Sequence, residues 1–349
     1  MNYSDHLHLI ADILSFNSQP SQLKKRLEST NINWEEVVKI SSQHLVLTTM
    51  YCRLKQKKLI ELLPDELVEY LKNLTEINRN RNIRLIEEAK SISNLFHENN
   101  IEHVYFKGMG MLISNFYQDV GERLIGDIDI LITPDALDKA YELLKNCGYD
   151  KSKGFNYNEK GFRHKPRLID EGKLAAVELH RHILNDKKQH FLNRKEVFLT
   201  AIAQNSLYTA NAENLYKINV LNAQINNNGH YYNNISFKNF YDNHILLTKC
   251  NLETKYFKAR NKYFKSYHAL FDYWQKNETS KDKPILNQLQ LLSHRIKSSH
   301  QVLETSSYNI KSTGLAVKQR IGLWLKNPSY RKHIWKNKVI NKSSSIFIS

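Results

Sequence analysis

Cysteine is scarce in this chain of 349 residues. Its three copies, Cys52, Cys147 and Cys250, lie far apart with no paired spacing. No disulfide framework or zinc-binding pattern can be built on them, and a reducing compartment is expected. Long apolar runs are missing as well: no uncharged stretch is long enough to span a bilayer. The first residues, with Asp5, His6, His8 and Asp12, lack the basic start and apolar run of a signal peptide, so a cytoplasmic protein is expected. No internal repeat is found. Acid is the remaining shortage. Against 51 Lys and Arg stand 35 Asp and Glu, a formal net charge of +16. Such an excess favours an anionic partner: nucleotide phosphates, RNA or an anionic membrane surface. The apolar and charged fractions, 41% and 25%, are those of a soluble globular protein, and the length allows two domains or one large one.

Residues 1–100 read as a helical N-terminal region. Ser4 can cap a first helix with Leu7, Ile10 and Leu14 on one face. Asn33 followed by Glu36 resembles a capping box ahead of Val37 and Ile40. After Pro64, positions from Leu67 to Phe96 hold helical spacing until Asn99-Asn100. The pattern then changes. His103 to Lys107 reads as a short strand, Met109 to Tyr117 as a helix and Asp127 to Thr133 as a second strand. Thr133 can cap a further helix with Pro134 at its first position and Gly148 beyond its end. Two more strands, near Arg163 to Ile169 and Leu174 to Ile183, flank the turn Asp170-Glu171-Gly172-Lys173. The expectation is therefore an α+β protein: a core at 101–185, a helical C-terminal region at 186–342 and a frayed tail at 343–349.

One stretch organises the rest, Gly121-Glu122-Arg123-Leu124-Ile125-Gly126-Asp127-Ile128-Asp129-Ile130-Leu131-Ile132-Thr133. Its alternation puts Asp127 and Asp129 on one face of a strand and Ile128 and Ile130 on the other. Two acids so placed repel each other and lose hydration, and a divalent metal between them is the economical remedy. Gly126 lets a ligand approach the backbone, and Arg123 carries a charge suited to phosphate. A further carboxylate is offered by Glu178 in Val177-Glu178-Leu179-His180, where Glu178 and His180 share a face. That third acid could orient or deprotonate an attacking hydroxyl. Plainer readings stand beside these. Asp127 and Asp129 can be a solvated strand end, Lys107 a strand-end lysine, and Gly108 and Gly126 turn residues. Glu178 can pair with Arg163 or Arg181 across a hairpin, and His180, a candidate cofactor or metal ligand on the same face, can instead orient Glu178 or pack. Asp242 of the Tyr241-Asp242 pair can serve a local cap as well as a substrate. Between 255 and 276 six basic residues face one acid and interleave with aromatics, which suits a solvated helix face or a nucleic-acid surface. Between 317 and 342 there are eight basic residues and no acid, which suits a solvated face or a membrane-surface helix.

Lys107-Gly108, the Gly-x-Arg-x-x-Gly-Asp-Ile-Asp-Ile-Leu-Ile run, the helix ending in Cys147-Gly148-Tyr149 and Val-Glu-Leu-His together resemble the nucleotidyltransferase family of the DNA polymerase beta superfamily, in its largely uncharacterised bacterial branch. Gln43-His44-Leu45-Val46, Leu63-Pro64, Arg79-Asn80-Arg81-Asn82 and Asn100-Ile101 extend the likeness upstream. The resemblance implies a mixed-sheet nucleotidyltransferase core flanked by helices, Mg²⁺ (one ion or two) and an NTP donor such as ATP. It also implies metal-binding roles for Asp127, Asp129 and Glu178. Relatives carry a Gly-Ser pair at a helix start to hold the triphosphate, whereas this chain has Lys107-Gly108-Met109-Gly110. Phosphate contact then falls to the backbone near Gly108 and Gly110, with charge from Lys107 or Arg123. The implied reaction moves an NMP to a hydroxyl or phosphate acceptor with release of pyrophosphate, the acceptor being a small molecule of a glycan or natural-product pathway. Two alternatives remain: a toxin-like enzyme acting on tRNA or protein, and a non-catalytic basic binding protein.

Overall fold

The computed structural model describes residues 1–29, 32–153, 163–253, 257, 261–276 and 285–335. The N-terminal region is helical, as its periodicity demands. Helix α1 (Tyr3–Leu14) is capped by Asn2 rather than Ser4. The Asn2 side chain accepts from the Asp5 N–H at 2.9 Å and the Asp5 carboxylate accepts from the Asn2 N–H, a reciprocal box that a cap at Ser4 lacks. Helices α2 (Pro20–Ser29), α3 (Trp34–Gln43) and α4 (Leu47–Gln56) follow, with Asn33 capping α3 through the Glu36 N–H. The long helix α5 (Asp65–Glu98) begins after Pro64 and stops at Asn99. Its buried stripe carries two asparagines, Asn78 and Asn82, among Leu71, Leu85, Ala89, Ile92 and Phe96.

Among the described residues seven short strands make one mixed sheet: β1 (His103–Tyr105), β2 (Asp127–Ile132), β3 (Lys151–Lys153), β4 (Arg167–Ile169), β5 (Ala176–His180), β6 (Ile202–Gln204) and β7 (Leu207–Thr209), in the order β3-β4-β5-β2-β1-β7-β6. At its centre β2 pairs antiparallel with β1 and parallel with β5. The fold is thus α+β, with the sheet shorter-stranded than the apolar runs suggest. Helix α6 (Lys107–Ile113) starts at the end of the expected first strand and stops before Tyr117, where Asn115 at φ 53° turns the chain out of the helix. Thr133 does not cap α7 (Leu137–Asn146); its carbonyl instead closes a turn onto the Ala136 N–H, and the helix begins after it. Gly148, at φ 106°, ends the segment as its position suggested. The β6–β7 hairpin lies in a region that reads as helical. Its turn residues Asn205 and Ser206 both have positive φ, the backbone of a tight two-residue hairpin. Through Tyr105↔Thr209 the hairpin extends the sheet beyond β1.

Helices α8 (Arg194–Leu199), α9 (Ala212–Leu221), α10 (Gly229–Tyr232) and α11 (Phe237–Lys249) lead to the helix Lys262–Trp274. The aromatics of that last helix, including Phe264, Tyr267, Phe271 and Trp274, are buried. They are core side chains rather than stacking platforms for bases. The remaining helices are Ile285–Ser298, Gln301–Lys326 and Pro328–Ile334; the tail at 343–349 lies outside the described residues. One hydrophobic cluster runs from Leu7 on α1 through the sheet to Leu291, so helices on both sides share a core with the sheet.

Three histidines inside this core set a pH limit. His103, His244 and His294 are 2–3% exposed. Burial pushes their pKa values down to about 4, about 3 and about 4. The unfolded chain takes up protons below about pH 6.5 that the folded chain refuses until these lower values. Their contribution is therefore complete above that range and lost as pH falls through it toward 4. Thermal melts should show a midpoint that declines steadily from about pH 6.5 to pH 5, at about 1–2 kcal/mol per histidine. A flat midpoint across that window would contradict the burial argument.

Candidate active site

Strand β2 carries the two acids because its alternation buries Ile128 and Ile130 completely on the core side. Asp127 is half-buried at the strand's start and Asp129 is buried. Strand β5 repeats the pattern, with Glu178 and His180 opposite Val177 and Leu179. Parallel pairing aligns Asp129 with Glu178 and Leu131 with His180, so their side chains leave the sheet on one face. The contacts follow from that register. His180 Nε2 lies 2.7 Å from Asp129 Oδ1 and 3.2 Å from Glu178 Oε2. Two cations close the group. Lys107, at the first turn of α6, pairs with Asp129. Arg167 on β4 donates from Nε to Glu178 Oε1 at 2.8 Å and from Nη2 to Asp127 Oδ2 at 3.2 Å.

The electrostatics separate the three carboxylates. Burial alone would raise Asp129, but the Lys107 ammonium and the His180 hydrogen bond overcome it and hold the carboxyl well below the usual range. Glu178 is likewise penalised by burial and held down by the His180 hydrogen bond. Asp127 goes the other way: burial and the neighbouring Asp129 charge raise it. His180 Nε2 sits between two carboxylate oxygens, so this nitrogen carries the proton and donates. Its Nδ1 is buried and finds no hydrogen-bond partner among the described residues.

Ligand atoms of Asp129, Glu178 and His180 lie within 4.8 Å of one another, close enough to share one ion. Carboxylate oxygens suit Mg²⁺ or Mn²⁺, and a protonated Nε2 suits a role beside the acids more than ligation. The donor set fits a hard divalent cation, which would take over charge now balanced by Lys107 and Arg167. Asp127 stands outside this trio, joined to it through Arg167.

Other expected residues fall in different places. Lys107 occupies the left-handed region at φ 54°, an uncommon backbone for a non-glycine residue, held where its side chain meets Asp129. Gly108 is half-buried beside it. Gly110 is packed inside: a Cβ there would stand 2.9 Å from the Tyr105 carbonyl oxygen. Gly110 thus serves the packing of α6 on β1. Gly126 is exposed with open space where a Cβ would be. Arg123 is committed elsewhere. Its Nε and Nη2 grip both oxygens of Asp242 on α11 at 2.9–3.2 Å, and both partners are buried. Tyr117 adds a hydroxyl to Asp242 Oδ1 at 2.9 Å.

The loop bearing Arg123 is fastened by backbone contacts. Asn78 and Asn82 of α5 donate to the carbonyls of Gly121, Val120 and Arg123. Thr48 and Thr49 of α4 donate to the Glu122 carbonyl at 3.0 and 2.8 Å. A protein-family model described as uncharacterised nucleotidyltransferase matches residues 30–273, a span that includes these helices, the sheet and α11. The chain belongs to that nucleotidyltransferase family. It is accordingly a transferase, and an NTP is the substrate the family implies. No curated protein matches the chain.

Within the candidate site two residues escaped the sequence reading. Glu178 pairs with Arg167, not with Arg163 or Arg181, because β4 lies antiparallel to β5 through Leu168↔Val177 and sets Arg167 directly across from it. The other is Lys238, one helical turn before Asp242 on α11. The Arg123 charge and burial push its amine down to about 8, while Asp242, Asp127 and Asp129 pull the other way. Its spacing from Asp242 is the one signal the sequence offered.

Proposed function

We propose that the chain is a Mg²⁺-dependent nucleotidyltransferase, with a polymerase-beta-like core, that moves an NMP from an NTP to a hydroxyl or phosphate on a small acceptor. An acceptor oxygen bonds to the α-phosphorus, the bond to the β-phosphate oxygen breaks, pyrophosphate leaves, and a hydroxyl acceptor gives up its proton. The observation that carries this reading is the meeting of Asp129 and Glu178 across paired strands, with Asp127 one pleat away. Held by these three acids, Mg²⁺ would neutralise charge on the triphosphate and on the departing pyrophosphate. Lys107, Arg167 and Lys238 surround the acids with positive charge suited to triphosphate oxygens. Asp127 is the most exposed of the acids, which leaves it open to the incoming nucleotide and acceptor. The test is pyrophosphate release from each of the four NTPs, with and without Mg²⁺, against an Asp127→Ala/Asp129→Ala control. Release that needs neither metal nor the two acids would end the proposal.

The charge of +16 favours a second acceptor class, tRNA or another RNA. An RNA-directed enzyme would bind tRNA with affinity that falls steeply as salt rises. Label from the NTP would then pass to tRNA and not to small molecules of an extract.

Lys238 offers a separate check on the triphosphate side. Lys238→Ala is expected to raise the KM for NTP about tenfold, the cost of one charge-assisted hydrogen bond. The thermal midpoint should hardly move, since the side chain is only half-buried. An unchanged KM would remove Lys238 from the site.

A further inference from the structure

We propose that the outer face of the helix Gln301–Lys326 lies flat on an anionic membrane surface. This helix turns its apolar side chains the wrong way for a globular protein. Leu303, Ile310, Val317 and Trp324 recur every seven residues, Ile321 falls on the same side, and these five are 47–74% exposed. Half-buried positions such as Ser312, Leu315, Ala316 and Leu323 lie on the opposite side, where the helix packs on Ile285–Ser298 and on Pro328–Ile334. Charge edges the apolar stripe. Lys311 and Lys318 run along one border and Arg320 stands on the other, with Lys326, Arg331 and Lys332 beyond. Glu304 is the only acid from 301 to 335.

These features together select the occupant. A stripe of exposed aliphatic side chains this long is rare on a monomer unless something covers it. A second copy of the helix would bring Lys318 and Arg320 against like charges at the flanks of the seam. An RNA would use the cations and leave Ile310, Val317 and Ile321 in water. An anionic bilayer satisfies both sets, taking the aliphatic face and Trp324 at the acyl boundary and Lys and Arg among the headgroups. No described helix is long and apolar enough to cross a membrane, so this one lies along the surface.

The experiment is flotation of the full chain with phosphatidylcholine vesicles prepared with and without phosphatidylglycerol. Flotation is expected only with phosphatidylglycerol and should weaken as salt rises. Ile321→Asp with Trp324→Ser, and separately Lys318→Glu with Arg320→Glu, should each cut partitioning about tenfold or more. Both pairs are exposed, so circular dichroism and the thermal midpoint should match the parent chain. No flotation, or flotation that both variants keep, overturns the proposal. So does a dimer in light scattering that Ile321→Asp splits, which would give the face to a second copy. Binding of tRNA that vesicles do not compete with and that only the charge variant loses would give it to RNA.

Discussion

Asp129→Asn should abolish measurable nucleotidyl transfer, with a fall of about a thousandfold or more, while the chain still folds. The substitution keeps size and shape and removes one negative charge from the centre of the acid group. Asp129 is the carboxylate that both Lys107 and His180 hold, and it is 2% exposed. Without its charge a divalent ion at the proposed site would be held less tightly by the remaining acids. Lys107 and His180 also lose an anion, which costs about 1–3 kcal/mol of stability. Asp127→Asn should cost less, because that residue is half-exposed and outside the trio that converges most tightly. Pyrophosphate release and a urea midpoint, measured on the same preparations, separate the two effects. Full activity in Asp129→Asn with an intact fold would sink the catalytic assignment.

How far the sequence alone reaches can be judged on particular residues. The alternation Asp-Ile-Asp-Ile fixes its own strand and face, because a period of two leaves no other way to bury Ile128 and Ile130. Val-Glu-Leu-His does the same for Glu178 and His180. Their lateral register is a tertiary fact, yet two strands with acids on one face and aliphatics on the other have few ways to share a core. The 34-residue helix α5 was legible from its spacing between Pro64 and Asn99. Its buried Asn78 and Asn82 were not, since only the loop at Gly121–Arg123 explains why amides belong inside.

The misses have physical causes too. Strands β3, β6 and β7 are three residues each, too short for any period to show. The aromatic-basic run at 255–276 left a solvated helix face and a nucleic-acid surface both open; over Lys262–Trp274 helical geometry sends the rings to the core and the ammonium groups to water, in keeping with the first. Arg123 looked like a phosphate ligand because a free guanidinium beside a glycine and two acids suits one. Its actual partner, Asp242, lies 119 residues along the chain, a distance no local pattern bridges.

That partner gives the largest expected effect on stability. Asp242→Ala leaves the Arg123 guanidinium buried with its counter-charge gone and takes the acceptor from the Tyr117 hydroxyl. Breaking one side of a buried pair in this way costs about 3–5 kcal/mol. Arg123→Met combined with Asp242→Leu should lose much less than the sum of the two single changes, because no charge is then stranded. The pair ties the loop that leads into β2 to α11, and α11 carries Lys238 one turn before Asp242. Asp242→Ala should therefore lower stability and raise the KM for NTP together, whereas Lys238→Ala raises the KM alone. A urea midpoint for Asp242→Ala equal to that of the parent chain would show that α11 is held by its apolar contacts. Additive losses in the double variant would show that the two side chains contribute separately, and the link from the buried pair to the nucleotide would fall with it.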